Sequence, residues 1–455
     1  RSPPLTSIDN GIYSLELDGS SGLLTAITNL KSGAKTSLDI SWGWYNSSVG
    51  GCTAYGPDVP PALRDTPCSG QKSGAYIFRP NSSTLFYPGP AQQVQTSVSR
   101  GPLVTEVHQR FSDWASHVIR LYKGKPYVEV EWTAGPIPVD TPWFAPVAHK
   151  GRHPLPNNWG KELVLRYSSG LKSAGTFYTD SNGKEMVRRE YNKRGPSYPH
   201  AYKISEPVAG NYYPVNALLS LDDGASELAV LTDVSQGGAS LSDGALELMV
   251  HRRVQADDSR GVQEPLNETM CGCNDIGAAP GQMGAHGHEG DGGCECAGLT
   301  VRGRHWLLFD TLDEVHALRR PLSEELNFPP LLGFTPAAKA RRFSAVSAAL
   351  PPNVKLVTLT SNYAGHNDGR WLLRLSHLYE VGEHPTLAAP VEVNLESVFA
   401  AAGMRITAAV ETTLTANQPV AAADKKKHGW ATRANSPEEE AHLAAVDARA
   451  HAKRA

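Results

Sequence analysis

Alternating hydrophobic and polar positions dominate the chain as far as residue 328. Apolar side chains occupy every second position of Tyr13–Leu17, and the turn residues Asp18-Gly-Ser-Ser-Gly22 lead into a second run at Leu23–Thr28. A period of two places neighbouring side chains on opposite faces of a β-strand, and turn residues between two such runs indicate a hairpin. The pattern therefore predicts antiparallel strands from the start of the chain.

The clearest hairpin lies farther along, at Val118–Trp132, with Lys123-Gly-Lys-Pro126 as its turn. In its second strand apolar residues alternate with two glutamates, in the order Val128, Glu129, Val130, Glu131, Trp132. Such alternation is typical of antiparallel sheets with one buried and one polar face. Many strands of this kind, separated by Gly and Pro turns, predict a large antiparallel β-sandwich.

Two stretches break this alternation. Residues 141–158 are rich in Pro and His, and residues 267–298 are rich in Gly and poor in apolar residues. Long segments without a repeating pattern are typical of loops inserted between regular elements. We therefore predict one large β-sandwich over residues 1–328, with these two stretches as loop insertions.

A smaller β-sandwich unit is predicted over residues 329–420. Its candidate strands are the apolar runs Val354–Thr360, Leu372–Tyr379, Val391–Leu395 and Ile406–Leu414. Residues 421–455 form a tail, in which Ser436-Pro437-Glu438-Glu439 has the sequence of a helix start. The apolar face behind this start is thin, so we predict a short, marginal C-terminal helix in a partly disordered tail.

The charge balance narrows the classes of function. The chain has 43 Lys and Arg against 46 Asp and Glu, a formal net charge of −3. Nucleic-acid-binding proteins carry a basic excess, so we expect no nucleic acid as a partner.

No apolar run approaches the roughly 18 residues of a membrane span, so we expect no membrane span. Residue 1 is Arg and no signal segment follows, so we expect a processed or incomplete chain.

Six cysteines lie in two segments with the composition of loops. They are Cys52 and Cys68 in the first, and Cys271, Cys273, Cys294 and Cys296 in the second. An even number of loop cysteines suits disulfides in an oxidising compartment. The second segment also contains His286 and His288, so disulfides, a metal site and free thiols all stay open there. Asn-x-Ser/Thr sequons at Asn46, Asn81 and Asn267 agree with a secretory-pathway lumen.

Several longer strings are more specific than these patterns. They are Trp44-Tyr-Asn-Ser-Ser48, Ser73-Gly-Ala-Tyr-Ile-Phe-Arg-Pro-Asn81, Phe177-Tyr-Thr-Asp-Ser-Asn-Gly183, Glu206-Pro-Val-Ala-Gly-Asn-Tyr-Tyr-Pro-Val-Asn216, Leu231-Thr-Asp-Val-Ser-Gln-Gly-Gly238, Leu246-Glu-Leu-Met-Val-His-Arg-Arg253, Asp257-Asp-Ser-Arg-Gly261 and Glu411-Thr-Thr-Leu-Thr-Ala-Asn-Gln418. With these strings in this order, the chain from Asp9 to Gln418 resembles the C-terminal half of lysosomal-type α-mannosidases of glycoside hydrolase family 38. The resemblance implies a mainly β fold, with a galactose mutarotase-like supersandwich followed by a smaller β-sandwich. The two insertions and the tail depart from the family pattern.

The resemblance also implies a function and a missing part. Such enzymes hydrolyse terminal α-linked mannose from N-glycans with retention, and their N-terminal domain holds Zn²⁺, an Asp nucleophile and an Asp acid/base. No segment of this chain matches that domain, so we assign it no catalytic residue and no metal ligand and expect it to be inactive alone. The implied partners are the N-terminal catalytic domain and mannose-containing glycans. The implied location is a lysosome or vacuole, with the Golgi lumen or the extracellular space as alternatives.

One segment is a candidate for contact with substrate. In relatives a Tyr of the Gly210-Asn-Tyr-Tyr-Pro214 segment reaches the catalytic cleft, so the resemblance implies a sugar contact by either Tyr212 or Tyr213. A Tyr suits this role because its ring packs while its OH binds sugar hydroxyls. On a strand only one of two neighbouring residues faces outward. The other interpretation is that both rings simply pack in the sandwich.

Other polar groups have simpler interpretations. The pairs Asp222-Asp223 and Asp257-Asp258 suit turn capping better than the two carboxyl groups, about 5 Å apart, that retaining hydrolysis needs. The strand end His251-Arg252-Arg253 either lines a groove or packs between the sandwich and the catalytic domain through Arg hydrogen bonds.

A free-standing carbohydrate-binding or scaffold protein without catalysis is the alternative hypothesis. An enzyme portion should expose apolar surface where its catalytic domain packs. A free-standing module should instead show a polar surface with one aromatic-lined groove.

Overall fold

A computed structural model describes residues 6–48, 71–80, 82–89, 94–138, 160–193, 206–254, 256–271, 296–336, 344, 346–363, 369–400 and 405–427. The chain divides into two compact units, residues 1–319 and 320–455. The predicted domains 1–328, 329–420 and 421–455 stay predictions. The insertion at 141–158 and the helix predicted after Ser436 lie outside the described residues.

Strands make up most of the first unit. In chain order they are β1 (Thr6–Asp9), β2 (Tyr13–Leu17), β3 (Leu24–Asn29), β4 (Lys35–Asn46), β5 (Gln95–Arg100), β6 (Val104–Ser112), β7 (Ala115–Tyr122), β8 (Val128–Ala134), β9 (Lys161–Ser169), β10 (Thr176–Ser181), β11 (Glu185–Glu190), β12 (Tyr213–Val215), β13 (Leu218–Asp222), β14 (Ser226–Thr232), β15 (Gln236–Ala239), β16 (Ala245–Arg253), β17 (Thr269–Cys271), β18 (Cys296–Gly298) and β19 (Val301–Thr311). A 3₁₀ turn at Ala209–Asn211 precedes β12.

These strands form two large antiparallel sheets and one hairpin. The eight-stranded sheet has the order β1-β2-β3-β4-β9-β16-β15-β12, and the nine-stranded sheet has the order β11-β10-β13-β14-β19-β8-β7-β6-β5. Strands β17 and β18 pair separately. The predicted hairpins at the start of the chain and at Val118–Trp132 are confirmed as β2–β3 and β7–β8.

The two large sheets share one apolar core. Buried side chains of both sheets meet there, including Leu38, Ile40, Trp42 and Trp44 of β4 and Val128, Val130 and Trp132 of β8. Two sheets that each bury one face against the other form a sandwich. The mainly β, antiparallel sandwich that the alternation predicted is therefore confirmed.

A glycine makes room for one of the core aromatics. Gly303 of β19 lies opposite Trp132 of β8 in the strand register. A Cβ at position 303 would come within 2.2 Å of the Trp132 ring. Glycine therefore lets the indole lie over the neighbouring strand, which any larger residue would block.

Two buried histidines of the nine-stranded sheet bind side chains of the eight-stranded sheet across this core. Trp42 Nε1 donates to His117 Nδ1 at 3.2 Å, and Tyr167 OH lies 2.7 Å from His305 Nδ1. The side-chain oxygen of Gln109 lies 2.6 Å from His117 Nε2, and that of Gln236 lies 2.8 Å from His305 Nε2. A neutral ring protonated at Nε2 satisfies both contacts. Burial lowers the pKa of both histidines to about 3.

A helix that the alternation did not predict follows β19. Helix α1 (Leu312–Asn327) carries Asp313 in its first turn and Pro321 in its interior. Val315 and Leu322, seven positions apart and therefore on one helix face, are both buried. The expectation of strands throughout this region is wrong for residues 312–327.

The described part of the second unit contains one two-stranded sheet and two short helices. Strand β20 (Val354–Thr360) pairs with β21 (Leu372–His377), and the helices are α2 (Leu395–Phe399) and α3 (Val420–Asp424). The strands predicted at Val354–Thr360 and from Leu372 are confirmed. Among the described helices, none has the length and apolar character needed to cross a membrane.

The other two strand predictions in this unit are wrong. Asn394 begins α2, and its Oδ1 accepts from the Ser397 backbone N–H at 3.0 Å. In the described part of 406–414 the backbone forms an isolated bridge, Thr412 to Pro419, and no strand. Apolar runs form strands only where a partner takes up their backbone hydrogen bonds. The second sheet that a smaller sandwich needs is not among the described residues, so that sandwich stays a prediction.

Candidate functional site

A cluster of polar side chains lies on the outer face of the eight-stranded sheet. Tyr45 of β4, Arg166 of β9 and Glu247 of β16 occupy outward positions, while their strand neighbours enter the core. Glu247 lies opposite Arg166 in the register. Sheet pairing therefore joins Tyr45 to Glu247 although 202 positions separate them in sequence.

Glu247 is the centre of this outer cluster. Its Oε1 accepts from Tyr45 OH at 2.9 Å and from Tyr212 OH at 2.5 Å. Its Oε2 accepts from Arg166, from Nη2 at 2.5 Å and from Nε at 3.0 Å. Glu247 is only 1% exposed, and four donated hydrogen bonds compensate its charge. The arrangement is a buried ion pair extended by two phenols.

The electrostatics of the cluster favour fixed protonation states. Burial and the Glu247 carboxylate raise the pKa of the Tyr45 and Tyr212 phenols above their ordinary value. Burial lowers the pKa of Arg166, but the Glu247 carboxylate raises it overall. Both phenols therefore stay protonated and the guanidinium stays charged at physiological pH. Such groups suit positioning and hydrogen bonding better than proton transfer, which needs a pKa near the working pH.

The structure separates the two candidate tyrosines. The Tyr212 ring packs edge-on against Phe78, with 4.8 Å between centroids, and belongs to the outer cluster. Tyr213 packs against the core between the sheets, where it contacts Phe177, and the Arg189 guanidinium lies 4.2 Å from its ring centroid. The two residues thus point to opposite sides, as neighbours on a strand must. Contact of either tyrosine with a sugar stays a prediction.

A second buried ion pair lies farther along β9. Glu162 is fully buried and accepts from Arg252, Nε to Oε2 at 2.5 Å and Nη2 to Oε1 at 3.2 Å. Ser73 Oγ donates to the same carboxylate, and Arg252 Nη2 donates to the Ile77 carbonyl at 2.9 Å. The pair therefore ties the segment of residues 71–80 to the outer face of the sheet.

A β-bulge in β16 sets this pairing. The register shifts between Met249 and His251, so that His251 lies opposite Leu163 and Arg252 lies opposite Glu162. One extra residue reverses which side chains face outward beyond it. The bulge thus brings Arg252 to the outer face, where its guanidinium meets the carboxylate.

The rest of this strand end binds backbone and loop groups. Arg253 Nη1 donates to the Ile137 carbonyl at 2.5 Å, and its Nε donates to Asn267 Oδ1 at 2.7 Å. His251 Nε2 lies 3.3 Å from the Leu299 carbonyl oxygen. Burial lowers the pKa of both His251 and Arg253. The arginines of this segment bind groups of the sandwich itself, and packing of the segment against a catalytic domain stays a prediction.

Asp258 fixes the same outer loop through the backbone. It is 2% exposed, and its Oδ2 accepts from the N–H groups of Tyr76 and Ile77 at 2.7 and 3.0 Å. Its Oδ1 accepts from the Arg260 N–H at 3.0 Å. The pair Asp222-Asp223 likewise accepts from N–H groups of its own turn. Turn capping, the simpler interpretation of these carboxylates, is confirmed.

Of the candidate cysteines and glycosylation sites, some lie within the described residues and others lie outside them. Cys52, Cys68, Cys273, Cys294 and Asn81 lie outside the described residues. Cys271 and Cys296 end β17 and begin β18. Asn46 is 3% exposed at the end of β4, and its glycosylation stays a prediction. Asn267 is partly exposed and accepts from Arg253. The disulfides and the glycosylation of Asn81 and Asn267 stay predictions.

Sequence reasoning missed the outer cluster around Glu247. The available signal is a single charge inside an apolar strand run, as for Glu247 in Ala245–Val250 and for Arg166 in Leu163–Tyr167. Charged side chains are rarely buried without a partner. Sequence alone does not say which residue is the partner, because strand order and register decide it.

The described residues do not fit a metal site. Among them, no group of three or more His, Cys, Asp or Glu is placed to hold a metal ion. The two buried carboxylates of the outer face, Glu162 and Glu247, already bind arginines. No step through a zinc ion is therefore assigned to these residues.

A groove of about 460 Å³ lies on β5, β6 and β7. Its lining residues are Gln95, Thr96, Ser97, His108, Gln109, Arg110, Ser116, His117 and Val118. None of these described residues is Trp, Tyr or Phe. The groove therefore lacks the aromatic lining that small-molecule sites commonly have and that a free-standing sugar-binding module was expected to show.

Fold and site together define a large antiparallel β-sandwich whose outer face holds loops in place through buried ion pairs. Residues 8–260, more than half of the chain, match the family described as "Glycosyl hydrolases family 38 C-terminal domain". The chain therefore belongs to glycosyl hydrolase family 38. The resemblance stated from the sequence strings is confirmed.

Curated relatives give the same family. The chain is 38% identical over 442 residues to the lysosomal alpha-mannosidase of Mus musculus. The aligned region covers 93% of this chain and 36% of the relative. It is 34% identical over 444 residues to the alpha-mannosidase of Canavalia ensiformis. The aligned region covers 95% of this chain and 39% of that relative. The chain thus spans little more than a third of the length of these relatives.

Solved structures are similar only at a distance. An alpha-mannosidase from Enterococcus faecalis V583 has a TM-score of 0.44 and 11% sequence identity, covering 80% of this chain and 36% of that chain. A galactose mutarotase-like protein from Lactobacillus casei ATCC 334 has a TM-score of 0.29 and 10% identity, covering 68% of this chain and 100% of that chain. Scores this low add nothing to the strand topology described above.

Proposed function

We propose that this chain is the C-terminal portion of a retaining α-mannosidase that hydrolyses terminal α-linked mannose from N-glycans. The observation that carries the proposal is the 38% identity to a lysosomal alpha-mannosidase over 93% of the chain. Because the chain corresponds to 36% of that relative, the proposed enzyme has a further N-terminal domain that packs on this portion. Zn²⁺, the nucleophile and the acid/base belong to that domain in the proposal. The chain alone is expected to be inactive.

The chemistry of the outer face supports the assignment of catalysis to the N-terminal domain and of positioning to this portion. A catalytic carboxylate needs oxygen lone pairs directed at the substrate. The carboxylates of Glu162 and Glu247 bind arginines, and that of Asp258 binds backbone N–H groups. These three groups hold loops and strands in position, which is the role of a domain that completes a neighbouring active site.

Within the proposal Tyr212 is the better candidate for contact with the sugar. Its OH donates to Glu247, which fixes the ring and leaves oxygen lone pairs to accept from a sugar hydroxyl. Tyr213 instead packs its ring against the core beneath Arg189. We therefore expect Tyr212, and not Tyr213, to bind substrate in the complete enzyme.

An exposed apolar segment supports packing against further polypeptide. Phe328, Leu331, Leu332 and Phe334 are 68%, 100%, 86% and 98% exposed. Soluble proteins seldom leave neighbouring large apolar side chains in water unless another surface covers them. This segment favours the enzyme portion over the free-standing binding module.

We place the proposed enzyme in the lumen of a lysosome or vacuole, with the Golgi lumen or the extracellular space as alternatives. The relatives named lysosomal alpha-mannosidase support an acidic lumen. The loop cysteines and the sequons at Asn81 and Asn267 support passage through the secretory pathway.

An activity assay tests the proposal. The chain is produced alone and together with the polypeptide encoded upstream of Arg1, and both preparations are assayed with an aryl α-mannoside and added zinc. We expect no turnover by the chain alone and turnover by the two parts together. Turnover by the chain alone would place the chemistry in this portion, and no turnover by two folded parts would refute the enzyme.

A pair of variants tests the tyrosine assignment in the two-part enzyme. Tyr212→Phe removes one hydrogen bond to the sugar and should lower kcat/KM by roughly fivefold to tenfold, since one such bond contributes about 1 kcal/mol. Tyr213→Phe is the matched control and should leave kcat/KM unchanged. A larger loss in Tyr213→Phe than in Tyr212→Phe would reverse the assignment.

A further inference from the structure

Two loop segments meet on the outer face of the eight-stranded sheet, around the ring of Tyr212. One is the segment of residues 71–80, which contributes Phe78, and the other is the segment of residues 206–212. With side chains of the sheet they form a small apolar cluster, separate from the core between the sheets, whose members are Tyr45, Phe78, Leu85, Val164, Val208, Tyr212 and Leu241. Tyr212 therefore has a packed environment of its own on this face.

The ring of Tyr212 contacts two other elements closely. The planes of the Phe78 and Tyr212 rings meet at 63°, with 4.8 Å between the centroids. Such edge-to-face contacts are a favoured arrangement of two aromatic rings. Gly237 of β15 also lies beside the Tyr212 ring, since a Cβ at position 237 would come within 3.3 Å of ring carbon Cδ1. The ring therefore lies close against the strand, at a position where the strand has no side chain.

The backbone on either side of Phe78 is anchored. Before it, the N–H groups of Tyr76 and Ile77 donate to the buried Asp258 carboxylate at 2.7 and 3.0 Å. After it, Arg79 Nη2 donates to Glu206 Oε1 at 2.8 Å, which ties the two loop segments to each other. While these contacts are intact, the Phe78 ring has little freedom to move away from Tyr212.

The phenol at the far end of the ring is held separately. Tyr212 OH donates to Glu247, and Glu247 is fixed in turn by Arg166. Contacts at both the ring and the hydroxyl restrict the two side-chain torsions of Tyr212. A group that binds substrate is effective only if its supporting residues hold it within about 0.5 Å of the productive geometry. The ring contact with Phe78 supplies the part of this support that the hydrogen bond to Glu247 does not.

We propose that Phe78 is a positioning residue for Tyr212. Through the Phe78 ring, the segment of residues 71–80 sets the place at which the Tyr212 oxygen meets a sugar hydroxyl. Phe78 itself touches no substrate and acts only through Tyr212. The inference rests on the proposed function, in which Tyr212 binds the sugar, but the ring contact is also measurable in the chain alone.

A double-mutant cycle in the two-part enzyme tests the proposal. Phe78→Leu keeps an apolar side chain and removes the ring contact. We expect kcat/KM to fall about threefold to fivefold, less than in Tyr212→Phe, because Phe78 acts through that hydroxyl. In the Tyr212→Phe background, Phe78→Leu should cause no further loss. A merely structural role of Phe78 would lower kcat/KM equally in both backgrounds.

Phe86→Leu is the matched control. Phe86 is likewise a partly buried phenylalanine, but its ring packs against Trp44, with 4.7 Å between the centroids. This variant should leave kcat/KM unchanged in both backgrounds.

A second measurement uses the chain alone and no activity. Tyrosines are nitrated with tetranitromethane, and the rate at Tyr212 is followed by peptide mass spectrometry relative to added N-acetyltyrosine amide. Phe78→Leu should raise the relative rate at Tyr212 by about threefold, because the ring becomes accessible and more mobile. Phe86→Leu should leave that rate unchanged.

Three results overturn the inference. They are an unchanged kcat/KM in Phe78→Leu, an equal loss in both Tyr212 backgrounds, and an unchanged nitration rate of Tyr212 in Phe78→Leu. If two folded parts show no turnover at all, the proposed function fails, and the nitration rate alone decides whether Phe78 positions the ring. Failure of the inference is therefore distinguishable from failure of the proposed enzyme.

Discussion

The two faces of the eight-stranded sheet hold their polar side chains in different ways. On the inner face Trp42 and Tyr167 bind neutral histidines of the opposite sheet. On the outer face Arg166 binds the carboxylate of Glu247. Both sets are buried, yet only the outer set is charged. The same sheet therefore stabilises neutral hydrogen-bonded pairs on its inner face and an ion pair on its outer face.

The difference follows from what covers each face. Between the two sheets most neighbours are apolar side chains, and an ion pair there would lose hydration without recovering enough contacts. The buried Lys161 at the start of β9 is an exception, with its Nζ donating to the Pro138 carbonyl at 2.7 Å. The outer face is covered by loops, from which Ser73 donates to Glu162 and Tyr212 donates to Glu247. Loop donors add hydrogen bonds that a sheet cannot supply, so buried ion pairs become tolerable there. The outer face therefore holds the loop segments that cover it.

Removing one outer charge should have the largest effect on stability. Glu247→Gln leaves Arg166 without its counter-ion, and breaking a buried pair costs roughly 3–5 kcal/mol. We expect the free energy of unfolding to fall by about 4 kcal/mol, measured by urea unfolding with tryptophan fluorescence.

A surface pair provides the matched control for that change. Glu16 binds Lys35 at 2.5 Å, and the Lys35 side chain is 54% exposed. Glu16→Gln should lower the free energy of unfolding by about 1 kcal/mol or less. Equal losses in the two variants would show that the outer cluster contributes no more than a surface ion pair.

Acidification should act through the inner face. The pKa of His117 and of His305 is lowered to about 3, whereas an unfolded histidine titrates near pH 6.5. As the pH falls below about 6.5, only the unfolded chain binds protons at these positions, so stability falls with pH. Between pH 7 and 5 we expect a loss of about 2 kcal/mol for each histidine.

Non-titrating variants measure that contribution. His305→Gln should reduce the decrease in unfolding free energy between pH 7 and 5 by about 2 kcal/mol, whatever its effect at pH 7. His108→Gln, at an exposed position, controls for the loss of a surface histidine. A pH profile of His305→Gln parallel to that of the wild-type chain would rule out a neutral buried ring.

The smallest expected effect concerns the phenol at the edge of the outer cluster. Tyr212→Phe removes one hydrogen bond, while Glu247 keeps Arg166 and Tyr45. We expect the free energy of unfolding of the isolated chain to fall by about 1 kcal/mol. A loss as large as that of Glu247→Gln would mean that the cluster fails when any one donor is removed.

Local patterns predicted the strands well and the outer cluster poorly. The alternation at Tyr13–Leu17 and Val128–Trp132 is a property of neighbouring residues, and each forms the predicted strand face. The link between Tyr45 and Glu247 depends on the order β4-β9-β16, which no local pattern contains. The sequence analysis did not predict this cluster, because the partners of Glu247 are set by strand order and register.

The errors also have physical causes. Helix α1 was missed because Pro321 in its interior argues against a helix, whereas Asp313 in its first turn and the spacing of Val315 and Leu322 support one. The run at Val391–Leu395 has strand composition, but Asn394 caps a helix instead. In both places tertiary packing outweighed composition.

The one-residue bulge in β16 has a consequence for how the contact to the 71–80 segment responds to acid. Without it, the uninterrupted register would place His251 opposite Glu162, and an imidazole that gains or loses its proton would be the carboxylate's partner. With the bulge, the partner is the guanidinium of Arg252, a type of group that, unlike an imidazole, does not change its charge between pH 5 and 8. A single inserted residue thus gives the contact to the 71–80 segment a partner whose charge does not depend on a histidine proton.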